Sequence, residues 1–481
     1  MPPTLITQLR RGLAGRRLFL ALLGLNLLVS ALVFFAFRNQ VSGDHYTYLG
    51  YAEGLARGRY SYWYFLPEYV PDTFRNPGYP LFVLAVRTLT QSVLALKLLQ
   101  LVLYFGAVAL TLAALRRLSA PGSWRSCNLF LLLLLPNIQG AYFAALVFPE
   151  VLVGFLLLLY FHVALVRAPG SWVRAALLAG LAGALVQVRP MFILFPLAQV
   201  ALDWGWQRRA FRRGPAGGFL LLFGLTLLPY AAWNYRHHGT FKVTSLEGGG
   251  GVLQIGFWAL RMPGYHEQRY WGNTMGDELV QFAAPTQVPG YIRAFNQEWD
   301  EIERQCAPLL TRRDSTYLPR MRQRPELFPT YSSAYTRRRE QLLVRYTLAH
   351  IRAEPGYFLQ TRLYTLVRLW VTGVQRRDWA AAPTPLARLK VLYPFLSSAA
   401  TFLLALVCIP WALARRGLGR VPAFALALAL VVYFGVMHLP FAIQARYTVP
   451  ARLLLLFCVA QAISALLEVP AARAAGKRVK A

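Results

Sequence analysis

The feature that most limits what this chain can fold into is a series of apolar runs, most of them close to the length that crosses a bilayer. The first is Leu18 to Phe37, and others follow at roughly 92–115, 127–145, 147–166, 173–188, 190–204, 217–235, 393–413, 421–438 and 446–467. A helix needs about 20 apolar residues to span the hydrocarbon core, and tilt or local thinning accommodates longer and shorter ones. The expected fold class is therefore an all-α polytopic membrane protein with about ten transmembrane helices. Only 15% of the 481 residues are charged while 56% are hydrophobic. That is too little charge to coat a soluble fold of this length.

Lys and Arg number 51 against 20 Asp and Glu, a net charge of +31. In a soluble protein this would raise nucleic acid as a partner. Here the basic residues fall between the apolar runs, so they read as topology signal and as affinity for anionic lipid or phosphate, and no nucleic acid is expected. Leu18–Phe37 is too long for a signal-peptide core and has no small-residue cleavage site after it, which predicts an uncleaved first helix behind Arg10, Arg11, Arg16 and Arg17. With the N-terminus in the cytoplasm, the inner loops hold Arg116, Arg117 and Arg125, then Arg167 and Arg174. They continue with Arg208, Arg209, Arg212 and Arg213, then Arg415, Arg416 and Arg420, and the tail adds Arg473, Lys477, Arg478 and Lys480. The short outer loops near 140–146 and 439–445 are almost uncharged. This positive-inside pattern predicts both termini in the cytoplasm. The lack of an organelle signal and the compact design of about ten helices point to the plasma (inner) membrane of a bacterium or archaeon. Cys127, Cys306, Cys408 and Cys458 make no disulfide framework, and three of them sit in apolar runs as small fillers.

Three parts follow. Residues 1–235 form an N-terminal transmembrane module whose first outer loop is 38–78. Residues 236–392 form an extracytoplasmic loop domain, α or α+β, large enough to be ordered in water. Residues 393–481 supply the last transmembrane helices and the basic tail. The run Tyr357 to Val374 contains Arg362 and Arg368 and reads as an interfacial amphipathic helix, with a tilted extra span as the alternative. Residues 79–90 are too short to span and lead toward the next helix.

The first outer loop concentrates the chemistry. Asp44 stands just past the first helix, ahead of Tyr48, Tyr51, Ala52 and Leu55 at helical spacing, with Gly58 as a stop. Helix capping explains such an Asp as well as a role as general base does. His45 beside it shares the second role, against a plain solvated histidine. The loop closes in Arg75-Asn76-Pro77-Gly78-Tyr79-Pro80, a rigid turn that turns Arg75 toward the same water as Asp44. Glu150 opens an apolar run. Capping accounts for it, yet an acid at the mouth of a membrane helix is costly unless it faces water or a partner.

Arg189 lies at a tight turn between two apolar runs, in Gln187-Val188-Arg189-Pro190. Arg446-Tyr447 begins the last run, and Arg236 ends the seventh. Each arginine can snorkel to headgroups. Three of them at three outer helix ends favour a shared anionic ligand, because a guanidinium matches phosphate oxygens with forked donors. Lys242 follows, then Gly248-Gly249-Gly250-Gly251, a flexible turn or a set of backbone amides for an anion. His237-His238 has no second cluster of metal ligands. The basic clusters 312–324 and 337–339 read as a solvated face, or more weakly as a hold on an anionic acceptor.

Together these motifs resemble the glycosyltransferase-C superfamily. The Asp loop closing in Arg-Asn-Pro-Gly-Tyr-Pro, the acid opening the fourth helix and the Arg-Pro turn carry the resemblance. So do the Asn234-Tyr235-Arg236 exit and the late Arg446-Tyr447. The nearest branch is the protein O-mannosyltransferase and lipid A aminoarabinose transferase group, and the likeness covers roughly 15–260 and 390–465. The resemblance implies an enzyme that moves a sugar from a polyprenyl-phosphate donor to an extracytoplasmic acceptor with inversion. It implies Asp44 and Glu150 as catalytic residues, and Arg189 and Arg446 on the carrier phosphate. His45, Arg75, Asn76, Arg236, Lys242 and Tyr447 join the candidate substrate-binding set. Relatives carry Asp-Glu where this chain has Asp44-His45, and the aminoarabinose branch has Glu-Lys near Arg75-Asn76, so sugar and acceptor do not transfer. No cofactor is required by these residues, no metal site is visible, and use of a divalent metal stays open.

The residues support this chemistry independently. A sugar on a lipid phosphate already has a good leaving group and needs positive charge on the departing phosphate. The acceptor hydroxyl needs a base. A transporter or flippase for lipid-linked sugars is the main rival, but it predicts internal repeats and helices broken at mid-membrane. An O-antigen-type ligase or polymerase is the second rival, and a non-catalytic scaffold the third.

Overall fold

The structure, a computed structural model, describes residues 12–41, 43–206, 210–262, 283–324, 326–374, 376–442 and 444–468. Among these residues every regular element is helical and there is no strand. Arg10, Arg11, Arg208, Arg209 and the basic tail with Arg473, Lys477, Arg478 and Lys480 lie outside the described residues.

The chain begins with α1 (Arg16–Phe37), α2 (Gly43–Ala56), α3 (Gly78–Thr90), α4 (Val93–Leu118), α5 (Arg125–Leu134), α6 (Gln139–Ala144), α7 (Glu150–Val166) and α8 (Trp172–Val188). A 3-10 turn (Pro190–Leu194) leads into α9 (Phe195–Trp206), and α10 (Arg213–His238) follows. The loop region contributes α11 (Gly249–Trp258), α12 (Val288–Cys306), α13 (Arg312–Arg322), α14 (Ser333–Ala353), α15 (Pro355–Trp370) and α16 (Arg376–Ala381). The chain then returns to apolar helices α17 (Pro385–Arg416) and α18 (Pro422–His438), a 3-10 turn (Ala445–Thr448) and α19 (Val449–Leu467).

Five described segments are long and apolar enough to cross a membrane: Arg16–Phe37, Val93–Leu118, Arg213–His238, Pro385–Arg416 and Arg446–Leu467. The other expected runs form shorter apolar helices, Arg125–Leu134, Glu150–Val166, Trp172–Val188, Pro190–Gly205 and Pro422–His438. Pro136 explains one shortening, because proline removes a helix donor and clashes with the preceding turn. It splits the run 127–145 into α5 and α6. Residues 79–90 do not run on into the next helix. Gln91 takes a left-handed conformation (φ 53°), and the Ser92 side chain caps a fresh start by accepting from the Ala95 amide.

The helices share two ends. At one, Lys97 Nζ donates to the Arg38 carbonyl (2.5 Å), Tyr142 Oη to Gln40 (3.0 Å) and Tyr433 Oη to the Met191 carbonyl (2.5 Å). At the other, Asn128 donates to the Leu13 carbonyl (2.7 Å) and Arg125 pairs with Glu468 (3.7 Å). In the middle runs α19, buried without a break from Val449 to Ala462. Leucines of the peripheral helices point outward, such as Leu28 and Leu32 on α1 and Leu403 and Leu406 on α17. Apolar faces of this extent need a non-aqueous neighbour.

α7 and α19 run parallel and in register. A Cβ on Gly154 would lie 3.4 Å from the Pro450 backbone, and one step deeper the rings of Phe161 and Phe457 pack at 5.4 Å. The same register carried back toward the helix starts sets Glu150 level with Arg446. That is how two distant segments come to share a site.

The loop between α1 and α3 folds around its own aromatic core of Tyr48, Tyr51, Tyr60, Tyr62 and Trp63, joined by Tyr230 of α10 and Tyr317 of α13. The regular elements of residues 236–392 are all helices where described. The run expected as an interfacial amphipathic helix forms α15, but Arg362 on it does not face water. Arg362 is buried and donates to the carbonyls of Gly256 (2.5 Å), Leu439 (3.0 Å) and Phe441 (3.2 Å), while Leu359 and Leu363 are exposed. The cluster 337–339 is likewise no solvated face. Arg337 holds the His238 carbonyl (3.0 Å), Arg338 holds Gln305 (3.1 Å), and Arg339 pairs with Glu247. The exposed basic residues of this domain include Arg312, Arg320 and Arg322 on α13. All four cysteines are free and buried.

Candidate active site

Asp44 occupies the first turn of α2, and Gly58 (φ 71°) lies just beyond that helix's end. Its side chain caps nothing. Oδ1 accepts from Arg75 Nη2 and Oδ2 from Arg446 Nη1, both at 2.8 Å. Glu150 opens α7 and is also not a cap: its Oε1 accepts from Arg189 Nη2 at 2.5 Å and lies 3.8 Å from Arg446 Nε. Arg446 therefore joins the two acids, and one cluster gathers Asp44, Arg75, Glu150, Arg189 and Arg446. Asp44 is 12% exposed at its side chain, and Glu150 only 1%. Aromatic rings back the guanidiniums, with Arg446 4.6 Å from the Phe148 ring centre, Arg189 5.2 Å from Tyr447 and Arg75 4.4 Å from Phe74. These faces favour the cations and keep water from screening them.

Local folding explains the placement. Asp72 Oδ2 accepts from the amides of Phe74 (3.0 Å) and Arg75 (2.9 Å), and Tyr51 Oη donates to Oδ1 (2.5 Å). Tyr60 and Tyr230 both donate to the Arg75 carbonyl, at 2.8 and 3.0 Å. Asn76 braces the next residue by donating to the Val186 carbonyl (3.2 Å) and accepting from the Ser245 amide (2.9 Å). Gly78 lies so close to α8 that a Cβ would fall 2.6 Å from the Gln187 backbone. The Arg75 turn is thus locked to the end of α8, one residue from Arg189.

Burial alone would raise the pKa of Asp44, but the guanidiniums of Arg75 and Arg446 outweigh it and hold the carboxyl below its ordinary value. Asp44 is a charged, doubly paired carboxylate at rest. His45 differs. It is buried, its Nδ1 has no protein partner, and burial together with the Lys97 ammonium pushes its pKa down to about 4. It is neutral at neutral pH and touches none of the five clustered residues through a hydrogen bond or ion pair.

The remaining candidates divide. Tyr447 belongs to the cluster through its ring, which also stacks on His438 (5.2 Å). Arg236 is exposed on the last turn of α10 and forms no ion pair with the acids. Lys242 turns its Nζ to the Leu246 carbonyl (3.1 Å) and stays with the glycine turn. Gly249–Gly251 form the first turn of α11 rather than a flexible turn, and the carboxyl of Glu340 on α14 already occupies its amides, accepting from Gly248 (3.3 Å) and Gly250 (2.7 Å). Residues that the motifs did not single out are Asp72, Phe74 and Phe148 around the arginines and Arg452 in α19. Arg452 carried a signal in being the lone charge inside the last apolar run. Among the described residues no group of three or more metal-ligating side chains gathers.

No family model matches the sequence, and no curated protein matches it. Among solved structures the chain is similar to a crystal structure of ArnT from Cupriavidus metallidurans bound to undecaprenyl phosphate. The match has 16% identity and a TM-score of 0.38, and it covers 89% of this chain and 77% of that one.

Proposed function

We propose that this protein is a membrane glycosyltransferase that takes a sugar from a polyprenyl-phosphate donor and passes it, with inversion, to an acceptor on the outer face of the membrane. The observation that carries this reading is the convergence of Arg75, Arg189 and Arg446 on Asp44 and Glu150 at one end of the apolar helices. A membrane protein that needed only topology signals has no reason to gather three half-buried arginines around two acids. A site for phosphate chemistry at a lipid boundary does.

Charge arithmetic favours a phosphodiester. Three guanidiniums against two carboxylates leave one positive charge, and a sugar–phosphate–polyprenyl donor carries one negative charge. In the transfer, the acceptor oxygen attacks the anomeric carbon from the side opposite the phosphate. The bond from that carbon to the phosphate oxygen breaks and its electron pair leaves with the phosphate, which becomes a dianion. The acceptor proton goes to Asp44. One carboxylate charge disappears as one phosphate charge appears, so the site keeps its balance throughout.

This step asks Asp44 to be a better base than its resting ion pairs allow. The donor supplies the remedy. Its phosphate competes for Arg75 and Arg446, and each guanidinium that turns to it frees an Asp44 oxygen. The carboxylates act as placeholders for the phosphate. The long apolar tail stays in lipid beside the exposed leucines. About ten crossings, and an extracytoplasmic domain formed by residues 236–392, put this site on the outer face in the topology expected from the basic loops.

The test is transfer from tagged polyprenyl-phosphate sugars in membranes bearing wild-type protein or Asp44→Asn. Turnover present in the wild type and lost in the variant, with donor binding kept, supports the reading. Equal turnover in both removes Asp44 as base. No turnover with any carrier by folded protein returns the flippase reading to the front.

A further inference from the structure

Beside the ion-pair cluster, between α4, α5, α6, α7 and the start of α19, lies a cavity of about 30 Å3. Its lining includes Glu150, Asn137, Arg452, Tyr104 and Gly140. Its lining is mostly apolar, yet three of its lining residues carry a polar atom that no protein group satisfies. Glu150 Oε2, Asn137 Oδ1 and Arg452 Nε are buried and have no protein hydrogen-bond partner. The three residues are 1%, 5% and 6% exposed. Each therefore lacks bulk water as well.

Arg452 is the most demanding of them. It lies within the helix expected to span, its guanidinium donates to the Trp370 carbonyl (3.1 Å), and it pairs with no carboxylate. A buried cation with so few partners is costly, and a charge inside a membrane helix points to a partner across a cavity. The acid that lines the same cavity is Glu150, and its second oxygen is the one left over by Arg189. A cavity needs about 10–15 Å3 to hold a water and two to four polar groups around it, so this one has room for about two.

We propose that the cavity is an internal water site that joins Glu150 Oε2 to Arg452 and Asn137, and that Arg452 is a positioning residue. Through this water it fixes the rotation of the Glu150 carboxyl. Oε1 then stays aimed at Arg189 and Arg446, which together with Arg75 make up the arginine site proposed for the donor phosphate. The positioning role rests on the glycosyltransferase reading, whereas the water site itself does not.

Two measurements on purified full-length protein in nanodiscs or crystals separate the two. The first is structural: density for ordered water in the wild-type cavity, and xenon under pressure. Water and no xenon in the wild type, with xenon entering Arg452→Met/Asn137→Leu, is the expected result, since dry apolar cavities take xenon and wet ones do not. Xenon in the wild-type cavity overturns the water site. The second is the affinity for a short isoprenyl phosphate. Arg452→Met should weaken it about tenfold, about the value of one or two lost hydrogen bonds, while Arg452→Gln, uncharged but able to donate to water, keeps most of it. Asn137→Leu should weaken it in the same direction and less than additively with Arg452→Met. It also serves as the independent variant if Arg452→Met does not fold. Equal losses in Arg452→Gln and Arg452→Met would assign Arg452 a direct charge on the phosphate and overturn the positioning role. If the wild type binds no isoprenyl phosphate at all, the donor reading fails while the water measurement still stands.

Discussion

Arg446 Nη1 lies 2.8 Å from Asp44 Oδ2, although 402 positions of chain separate the two residues. The contact ties the first loop to the start of the last helix, and through Arg446 Nε it continues to Glu150. A single guanidinium thereby sets the distance between the two acids.

Replacing Asp44 by Asn keeps the shape and removes the base. Transfer should fall by about 10²–10⁴-fold, the usual range for a general base. Affinity for an isoprenyl phosphate should hold or rise, because Arg75 then has no carboxylate to leave and Arg446 keeps only its longer contact with Glu150. A fall in both affinity and turnover would instead mark Asp44 as a structural anchor of the arginines.

His45→Gln supplies the contrast. The imidazole is buried, uncharged at neutral pH and outside the ion-pair cluster. Turnover should stay within about threefold of wild type, with an unchanged pH profile, as for substitutions away from the reacting groups. A loss matching that of Asp44→Asn would transfer the base role to His45.

Arg446→Met should be worse for stability than either change, since it strips one buried carboxylate of a direct partner and a second of a nearby charge. Removing one partner of a buried pair costs about 3–5 kcal/mol. Arg446→Lys restores charge but offers one ammonium where Nη1 and Nε serve two acids. Unfolding in detergent should rank wild type above Lys above Met. A Lys variant indistinguishable from wild type would mean that the Glu150 contact contributes nothing.

The five clustered residues were legible in the sequence because charge at the mouth of an apolar run is costly, and cost singles a residue out. Arg236 and Lys242 fit the same pattern and stand apart for a local reason. One stays at the surface, and the other is held by a carbonyl four residues on. The glycine turn was open as an anion site, and the sequence had no way to show that Glu340, some ninety residues later, fills it. Arg452 escaped notice because a strongly apolar stretch around it reads as a plain span. The break at Pro136 and the separate helix Gly78–Thr90 depend on turns whose directions are set by packing rather than by periodicity.

Asp72 gives the protein a measurable pH dependence. It is 1% exposed, and burial pushes its pKa up to about 7 despite the bonds from Tyr51 and the Phe74 and Arg75 amides. The folded protein then holds this proton more tightly than the unfolded chain, whose carboxyl keeps its ordinary value of 3.8. Between those two values the folded state binds more protons, so stability from this group falls as pH rises. It is fully present below about pH 4, is lost through about pH 7, and changes by at most about 1.4 kcal/mol per pH unit. Asp72→Asn cannot titrate and lacks that slope. Denaturation from pH 5 to 8 should therefore show wild type losing stability relative to Asp72→Asn as pH rises. Parallel curves would mean that Asp72 is already ionised throughout this range, held by the amides that also set the Arg75 turn.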